Sequence, residues 1–165
     1  MSEVVLHAPF AGWLSGLDEV ADPVFAERMM GDGLAIDPTE ELLRAPADAT
    51  VVTVPASAHA VTLRLANGAE LLLHIGLDTV ALGGRGFRAL VAAGDLVARG
   101  DPLLAFDLAT VAAGARDLVT PLVVAGGGTL APGALGRLVV AGEPIGTVVA
   151  AAAGATAPAP LTGPA

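Results

Sequence analysis

Two histidines stand in a stretch that is otherwise mostly apolar. His59 leads into AVTLRL and His74 closes ELLLH, with Asn67-Gly68 between them. One histidine in an apolar run is commonly structural, its two nitrogens satisfied by neighbours. Two brought to one face of a hairpin ask for another explanation. Asn-Gly between alternating segments signals a two-residue type I′ turn. That turn sets Ala66 opposite Ala69 and His74 opposite Val61. His59, two residues beyond Val61, then points to the same face. The histidines become diagonal cross-strand neighbours with backbones roughly 7–8 Å apart. Asp78 continues the parity of His74 and puts a carboxylate at the rim. Ser57, two residues from His59, is placed to orient its ring.

The chain has no cysteine and no lysine, so such a pair has three chemistries open to it. It can offer two zinc ligands, with carboxylates needed to complete the site. It can do acid–base work. Or one imidazole can carry a group covalently while the other stabilises the transferred anion.

The elements around the pair must be short strands. Of the 165 residues 54% are hydrophobic but only 3% aromatic, so the core is built from Val, Leu, Ile and Ala. The 21 glycines and 12 prolines cut the chain into pieces suited to strands and tight turns. The length fits one domain with a core of its own. The formal charge of −9 disfavours nucleic acid as a partner. No apolar stretch reads as a membrane span and the N-terminus does not read as a signal peptide. A cytoplasmic protein is expected, with a monomer as the default.

Weak repetition organises these strands. APFAGWLSGL (8–17) and APADATVVTV (45–54) share Ala-Pro followed by a strand. LVAAGDLVARGDPLLAFD (90–107) and LVVAGEPIGTVV (138–149) share an apolar pair, Ala-Gly, an acid and a further strand. Two similar sub-motifs packed as an antiparallel β-sandwich account for this. Helix is sparse. PVFAERMM (23–30) predicts about two turns, N-capped by Asp22, with Pro23 at the first position and Gly31 as terminator. Residues 38–41 and 108–115 each predict one turn at most. Residues 150–165, uncharged and rich in Ala and Pro, read as a linker after a domain spanning 1–149.

These residues resemble a known family. HAVTLRLANGAELLLHIGLDTVALGGRGF (59–87) is similar to the core of the glucose-type EIIA domain of the bacterial phosphoenolpyruvate:sugar phosphotransferase system. APFAGWL, DPVFAERMMGDGLAIDPTE, APADATV, VAAGDLVARGDPLLAFD and LVTPLVV agree in order, over roughly residues 3 to 149. The resemblance implies an antiparallel β-sandwich and a phosphohistidine relay. Phospho-HPr would donate to His74 at Nε2, and the phosphoryl group would pass to a cysteine of an EIIB domain of a glucose or N-acetylglucosamine transporter. His59 would donate a hydrogen bond to the phosphoryl oxygens, and Ser57 would orient His59. Asp22 and Asp78 match acidic positions flanking the site, where they would meet an arginine of the donor. Pro23, Val24, Phe25, Met30 and Val80 match an apolar ring that docks partners. No cofactor is required, although adventitious Zn²⁺ at His59 and His74 is compatible with the ligand types. The tail is similar to linkers that join such a domain to HPr and enzyme I in fused transfer proteins.

Departures are small. Ser57 replaces a usual Thr, Ala49 a usual Gly, and His7 lies outside the pattern and reads as surface or structural. Biotinyl and lipoyl carriers, which share the Ala-Pro and Gly-Asp units, fail for want of a lysine. Zinc peptidases of a related fold need a His-x-His tripeptide that does not occur. The remaining alternative is a regulatory docking module whose phosphorylation state controls what it binds.

Overall fold

The structure, a computed structural model, describes residues 2–151. The expected linker therefore lies almost wholly outside the described residues. Among the described residues fourteen strands follow one another: β1 (Glu3–His7), β2 (Gly12–Gly16), β3 (Asp32–Pro38), β4 (Leu42–Arg44), β5 (Ala49–Thr53), β6 (Ala60–Leu65), β7 (Glu70–His74), β8 (Phe87–Ala89), β9 (Leu96–Val97), β10 (Pro102–Phe106), β11 (Thr120–Gly126), β12 (Gly128–Pro132), β13 (Arg137–Val139) and β14 (Pro144–Ala150). They form an eight-stranded sheet in the order β13-β2-β3-β11-β7-β6-β5-β9 and two three-stranded sheets, β1-β14-β12 and β4-β10-β8. Every ladder among the described residues is antiparallel. The all-β, antiparallel class implied by the sequence is the one observed.

The internal repeat is physical. Each Ala-Pro segment is clasped to one Gly-acid turn, although the counterpart of Gly142-Glu143 is Gly100-Asp101 and not the Gly94-Asp95 that the sequence repeat aligns with it; Gly94 N–H donates instead to the Val51 carbonyl. Ala8 N–H donates to the Glu143 carbonyl and Gly142 N–H to the Ala8 carbonyl; Ala45 N–H donates to the Asp101 carbonyl and Gly100 N–H to the Ala45 carbonyl. The strands that follow repeat the correspondence, with Gly12 paired to Val139 and Ala49 to Val97. The two segments also bond to each other reciprocally, His7 N–H to the Pro46 carbonyl and Arg44 N–H to the Pro9 carbonyl, both at 2.9 Å. The acids close their own turns: Asp101 Oδ2 accepts from Ala98 N–H at 2.8 Å and Glu143 Oε2 from Val140 N–H at 2.7 Å. A turn built this way fixes where the adjoining strands start.

His7 belongs to this clasp. Its Nδ1 lies 3.3 Å from the Pro46 carbonyl, which only accepts, so Nδ1 carries the proton and Nε2 accepts from Arg99 at 2.7 Å. The residue is structural.

β7 sits in the interior of the large sheet, between β11 and β6. Leu71 and Leu73 face the main core with Leu63 and Leu122, while Leu72 joins a second cluster of Leu17, Val20, Phe25, Ala35, Ala60, Leu77 and Val123. Both faces are covered, so Leu71-Leu72-Leu73 reads as a continuous apolar run rather than an alternation. His74 shares the parity of Leu72 and opens onto the second cluster.

The hairpin differs from the sequence expectation. Ala60 pairs with His74 and Val61 with Leu73, one residue out of the predicted register. The loop has three residues: Leu65 N–H donates to the Ala69 carbonyl, and Gly68 takes a φ of +86° while Asn67 stays out of the left-handed region. Asn67 is occupied otherwise. Its carbonyl accepts from Ala69 N–H at 3.1 Å, and its amide reaches across to the Val148 carbonyl of β14 at 3.1 Å. These tertiary bonds favour the longer loop.

The helices differ too. The first, α1 (Pro23–Ala26), has one turn rather than two, because Glu27 leaves the helix and Arg28 turns left-handed at φ +57°. The second, α2 (Leu108–Gly114), is longer than one turn and is N-capped by Asp107. Residues 39–41 form a bend between β3 and β4.

Gly68→Ala tests the loop. A Cβ there meets nothing within 4 Å, so its cost is that of the left-handed backbone alone, about 1–2 kcal/mol. Urea unfolding should show that loss and a smaller one for Gly68→Asn; an unchanged midpoint for Gly68→Ala would contradict the three-residue turn.

Candidate functional site

The end of β7 creates the site. After His74 the chain turns at Gly76, whose φ of +71° aims its carbonyl back at the histidine. His74 Nδ1 donates to that carbonyl at 2.8 Å. A carbonyl oxygen has no proton to give, so in the neutral ring Nδ1 carries the hydrogen and Nε2 keeps a free lone pair. Only glycine fits at position 76: a Cβ would lie 2.7 Å from Thr79 Cγ2 and 3.0 Å from the Asp117 carbonyl. Thr79, fully buried, donates from Oγ1 to the Ile75 carbonyl at 2.6 Å and holds the turn.

His59 and His74 meet, but not by the predicted route. With Ala60 opposite His74, regular strand parity would send His59 to the opposite face. Ala58 adopts a φ of +52°, and β6 begins only at Ala60. His59 thus stands just outside the pleat, and its ring lies 4.9 Å from that of His74, edge to face. Two errors, in register and in strand length, cancel. Ser57 Oγ lies 2.6 Å from His59 Nδ1.

The setting is dry on one side and acidic on the other. His59 is 2% exposed. Phe25 is buried and packs its ring 5.5 Å from His74, so it forms part of the floor. Pro23 and Val24 are exposed, Val80 is 60% exposed, and Met30 is half-buried against the second cluster while its neighbour Met29 is 70% exposed. Asp22 caps α1, its Oδ1 accepting from Val24 N–H at 3.0 Å. Asp78 is off the strand, left-handed at φ +61°, and reaches the rim from a turn instead of along β7.

The sequence did not single out the residue that joins these acids. Arg116 donates from Nη2 to Asp22 Oδ2 at 3.1 Å, and its Nε forms an ion pair with Asp78 Oδ2 at 3.1 Å. The acids expected to await a donor's arginine are paired within the chain. Arg116 lies between α2 and β11, and nothing in its sequence context distinguishes it from the other arginines. Gly76 did have a signal, the His-x-Gly step at a strand end.

Both imidazoles are held neutral. Burial, and then the adjacent His74, push His59 down to about 4. Burial also lowers His74, against the opposing pull of the Gly76 carbonyl, Asp22 and Asp78. The arrangement therefore presents a neutral, oriented nucleophilic nitrogen beside a second imidazole. Among the described residues no group of three or more His, Asp or Glu stands together as a metal site, so zinc at the pair would need ligands from elsewhere.

A lowered histidine pKa makes the unfolded chain the better proton acceptor between about 4 and 6.5. This contribution to stability is complete above pH 6.5 and is lost as pH falls toward 4. His59→Gln should remove most of that slope. Urea midpoints of wild type and variant across pH 4.5–8 should converge at the acid end; a constant difference between them would contradict a buried neutral His59.

Comparison with known proteins adds the following. The sequence model of the family described as phosphoenolpyruvate-dependent sugar phosphotransferase system, EIIA 1, matches residues 4–128. The chain is 44% identical over 123 residues to the glucose-specific EIIA component of Bacillus cereus, covering 74% of each protein. It is 50% identical over 121 residues to the glucose-specific EIIBCA component of Corynebacterium glutamicum, covering 73% of this chain and 18% of that one. The structure of glucose permease IIA from Mycoplasma capricolum superposes with a TM-score of 0.83 at 38% identity, covering 89% of this chain and 96% of that one. Among the described residues no helix is long and apolar enough to cross a membrane.

Proposed function

Because the chain belongs to the EIIA 1 family of the phosphoenolpyruvate-dependent sugar phosphotransferase system, and so is a phosphoryl carrier in sugar uptake, we propose that His74 Nε2 is the atom that carries the phosphoryl group. The observation behind this is the bond from His74 Nδ1 to the Gly76 carbonyl, which leaves Nε2 bare.

The donor is phospho-HPr. The Nε2 lone pair of His74 attacks phosphorus, the donor's P–N bond breaks, and its electron pair returns to the donor imidazole. The proton on His74 Nδ1 stays where it is, stabilised by the Gly76 carbonyl as positive charge develops on the ring. Transfer of this kind depends on positioning and on stabilising the equatorial oxygens. His59 supplies the second part. With the Ser57 hydroxyl donating to Nδ1, the His59 proton resides on Nε2 and points toward the phosphoryl oxygens. In the onward step a cysteine thiolate of an EIIB domain attacks phosphorus, the P–N bond at His74 breaks, and neutral His74 is restored. The joining of A with B and C components in the name of the Corynebacterium relative supports that acceptor.

The exposed apolar rim of Pro23, Val24 and Val80 is where partners would dock and exclude water, which protects the phosphohistidine from hydrolysis. No cofactor is needed for these steps. Glucose is favoured as the sugar by the names of the relatives. The reading is of a cytoplasmic protein. A fused arrangement with HPr and enzyme I rests only on the Ala/Pro-rich composition of residues 150–165.

A phosphotransfer assay with enzyme I, HPr and labelled phosphoenolpyruvate tests this. Wild type should gain an acid-labile, alkali-stable label and His74→Ala none. His59→Ala should accept label but deliver it to EIIB at least about a hundredfold more slowly, the usual scale for loss of a transition-state donor. A labelled His74→Ala would overturn the assignment.

A further inference from the structure

A relay histidine flanked by carboxylates faces a charge problem. A phosphoryl group brings close to two negative charges. Asp22 caps the helix whose Phe25 packs on His74, and Asp78 follows His74 by four residues. Both carboxylates are close enough for their charge to favour protonation of His74. Unpaired, they would repel the group that His74 has to accept.

Arg116 is placed to answer this. Two different nitrogens of one guanidinium reach the two carboxylates, each at 3.1 Å. Its backbone is fixed as well: Arg116 N–H donates to the Leu77 carbonyl at 3.1 Å, and Leu77 N–H donates to the Asp117 carbonyl at 2.8 Å. The arginine is thereby anchored to the residue next to Asp78, and its fork closes on Asp22 from the other side. The side chain is 48% exposed, so the pairing is accessible to salt.

We propose that Arg116 is a charge-balancing, positioning residue of the phosphoryl relay, holding Asp22 and Asp78 paired so that a dianionic group is accepted on His74 beside them. The inference rests on the relay reading above and adds to it a residue that acts through the two acids, not by contact with the reacting atoms. It also gives those acids a standing partner in the free chain: a donor's arginine must compete with Arg116 rather than find bare carboxylates. A planar fork suits this task better than an ammonium, which would act as a single point charge.

The test is the equilibrium constant for phosphoryl exchange between phospho-HPr and the full chain, which does not depend on how fast the partners dock. At low ionic strength Arg116→Gln should shift the equilibrium back toward phospho-HPr by about fivefold, as expected for the loss of half-exposed ion pairs, and the shift should shrink at high salt. Arg116→Lys should fall between wild type and Arg116→Gln. Adding Asp78→Asn to Arg116→Gln should restore the equilibrium toward the wild-type value, which a merely structural role would not do. An equilibrium unmoved in Arg116→Gln, moved the other way, or not restored by Asp78→Asn would overturn the proposal. Those results require a wild type that takes label. If wild type takes none, the relay reading itself fails, and this inference with it.

Discussion

The hydrogen bond from His74 Nδ1 to the Gly76 carbonyl decides what this site can do. It joins a side chain at the end of a strand to a backbone group two residues on. Such a short bond needs a reversal that a residue with a Cβ makes only under strain. Gly76 provides it, and the crowding of Thr79 and the Asp117 carbonyl around its α-carbon leaves no room for another residue. Once the bond is made, the imidazole has one tautomer in its neutral form. The ring is left with a single free nitrogen, in a fixed direction, at the edge of an apolar floor.

The rest of the molecule keeps that nitrogen in place. β7 is held by ladders on both sides and covered on both faces, so the end of the strand cannot drift without disturbing the core. Beyond it, two copies of one Ala-Pro and Gly-acid clasp, lying just before β2 and β5, are joined to each other by reciprocal backbone bonds. The site draws on several separate chain segments: the left-handed entrance at Ala58, the turn at Gly76, the capped helix at Asp22 and the loop at Arg116. Each is short and sharply bent, which suits a surface whose function is to position a group for transfer between partners. Burial keeps both histidines neutral, while Asp22 and Asp78 moderate that effect on His74.

Much of this was legible in the residues, though unevenly. The all-β class followed from many glycines and prolines among aliphatic runs, and the repeated Ala-Pro and Gly-acid units announced two similar sub-motifs but not the backbone clasps that join them. The N-cap at Asp22 was readable because Asp-Pro at a helix start has a local cause. The hairpin loop departs from its local signal because Asn67 commits its side chain to β14, a tertiary bond no local rule contains. The helix at Pro23 was overlong because nothing local announces a left-handed Arg28. The meeting of His59 and His74 was anticipated for an incorrect reason, since it depends on Ala58 and not on strand parity. Arg116 was invisible: a salt bridge between segments far apart in the chain leaves no local trace, and its two acids were assigned to a partner instead.

The most direct test of the central claim is the protonation pattern of His74 in solution. Long-range proton–nitrogen spectra of histidine-labelled protein at pH 7.5, assigned with His74→Gln, report which ring nitrogen carries the hydrogen. The account predicts a neutral His74 with its proton on Nδ1 and a bare Nε2, and phosphorus bonded to Nε2 after phosphorylation. A proton on Nε2, or phosphorus on Nδ1, would contradict it.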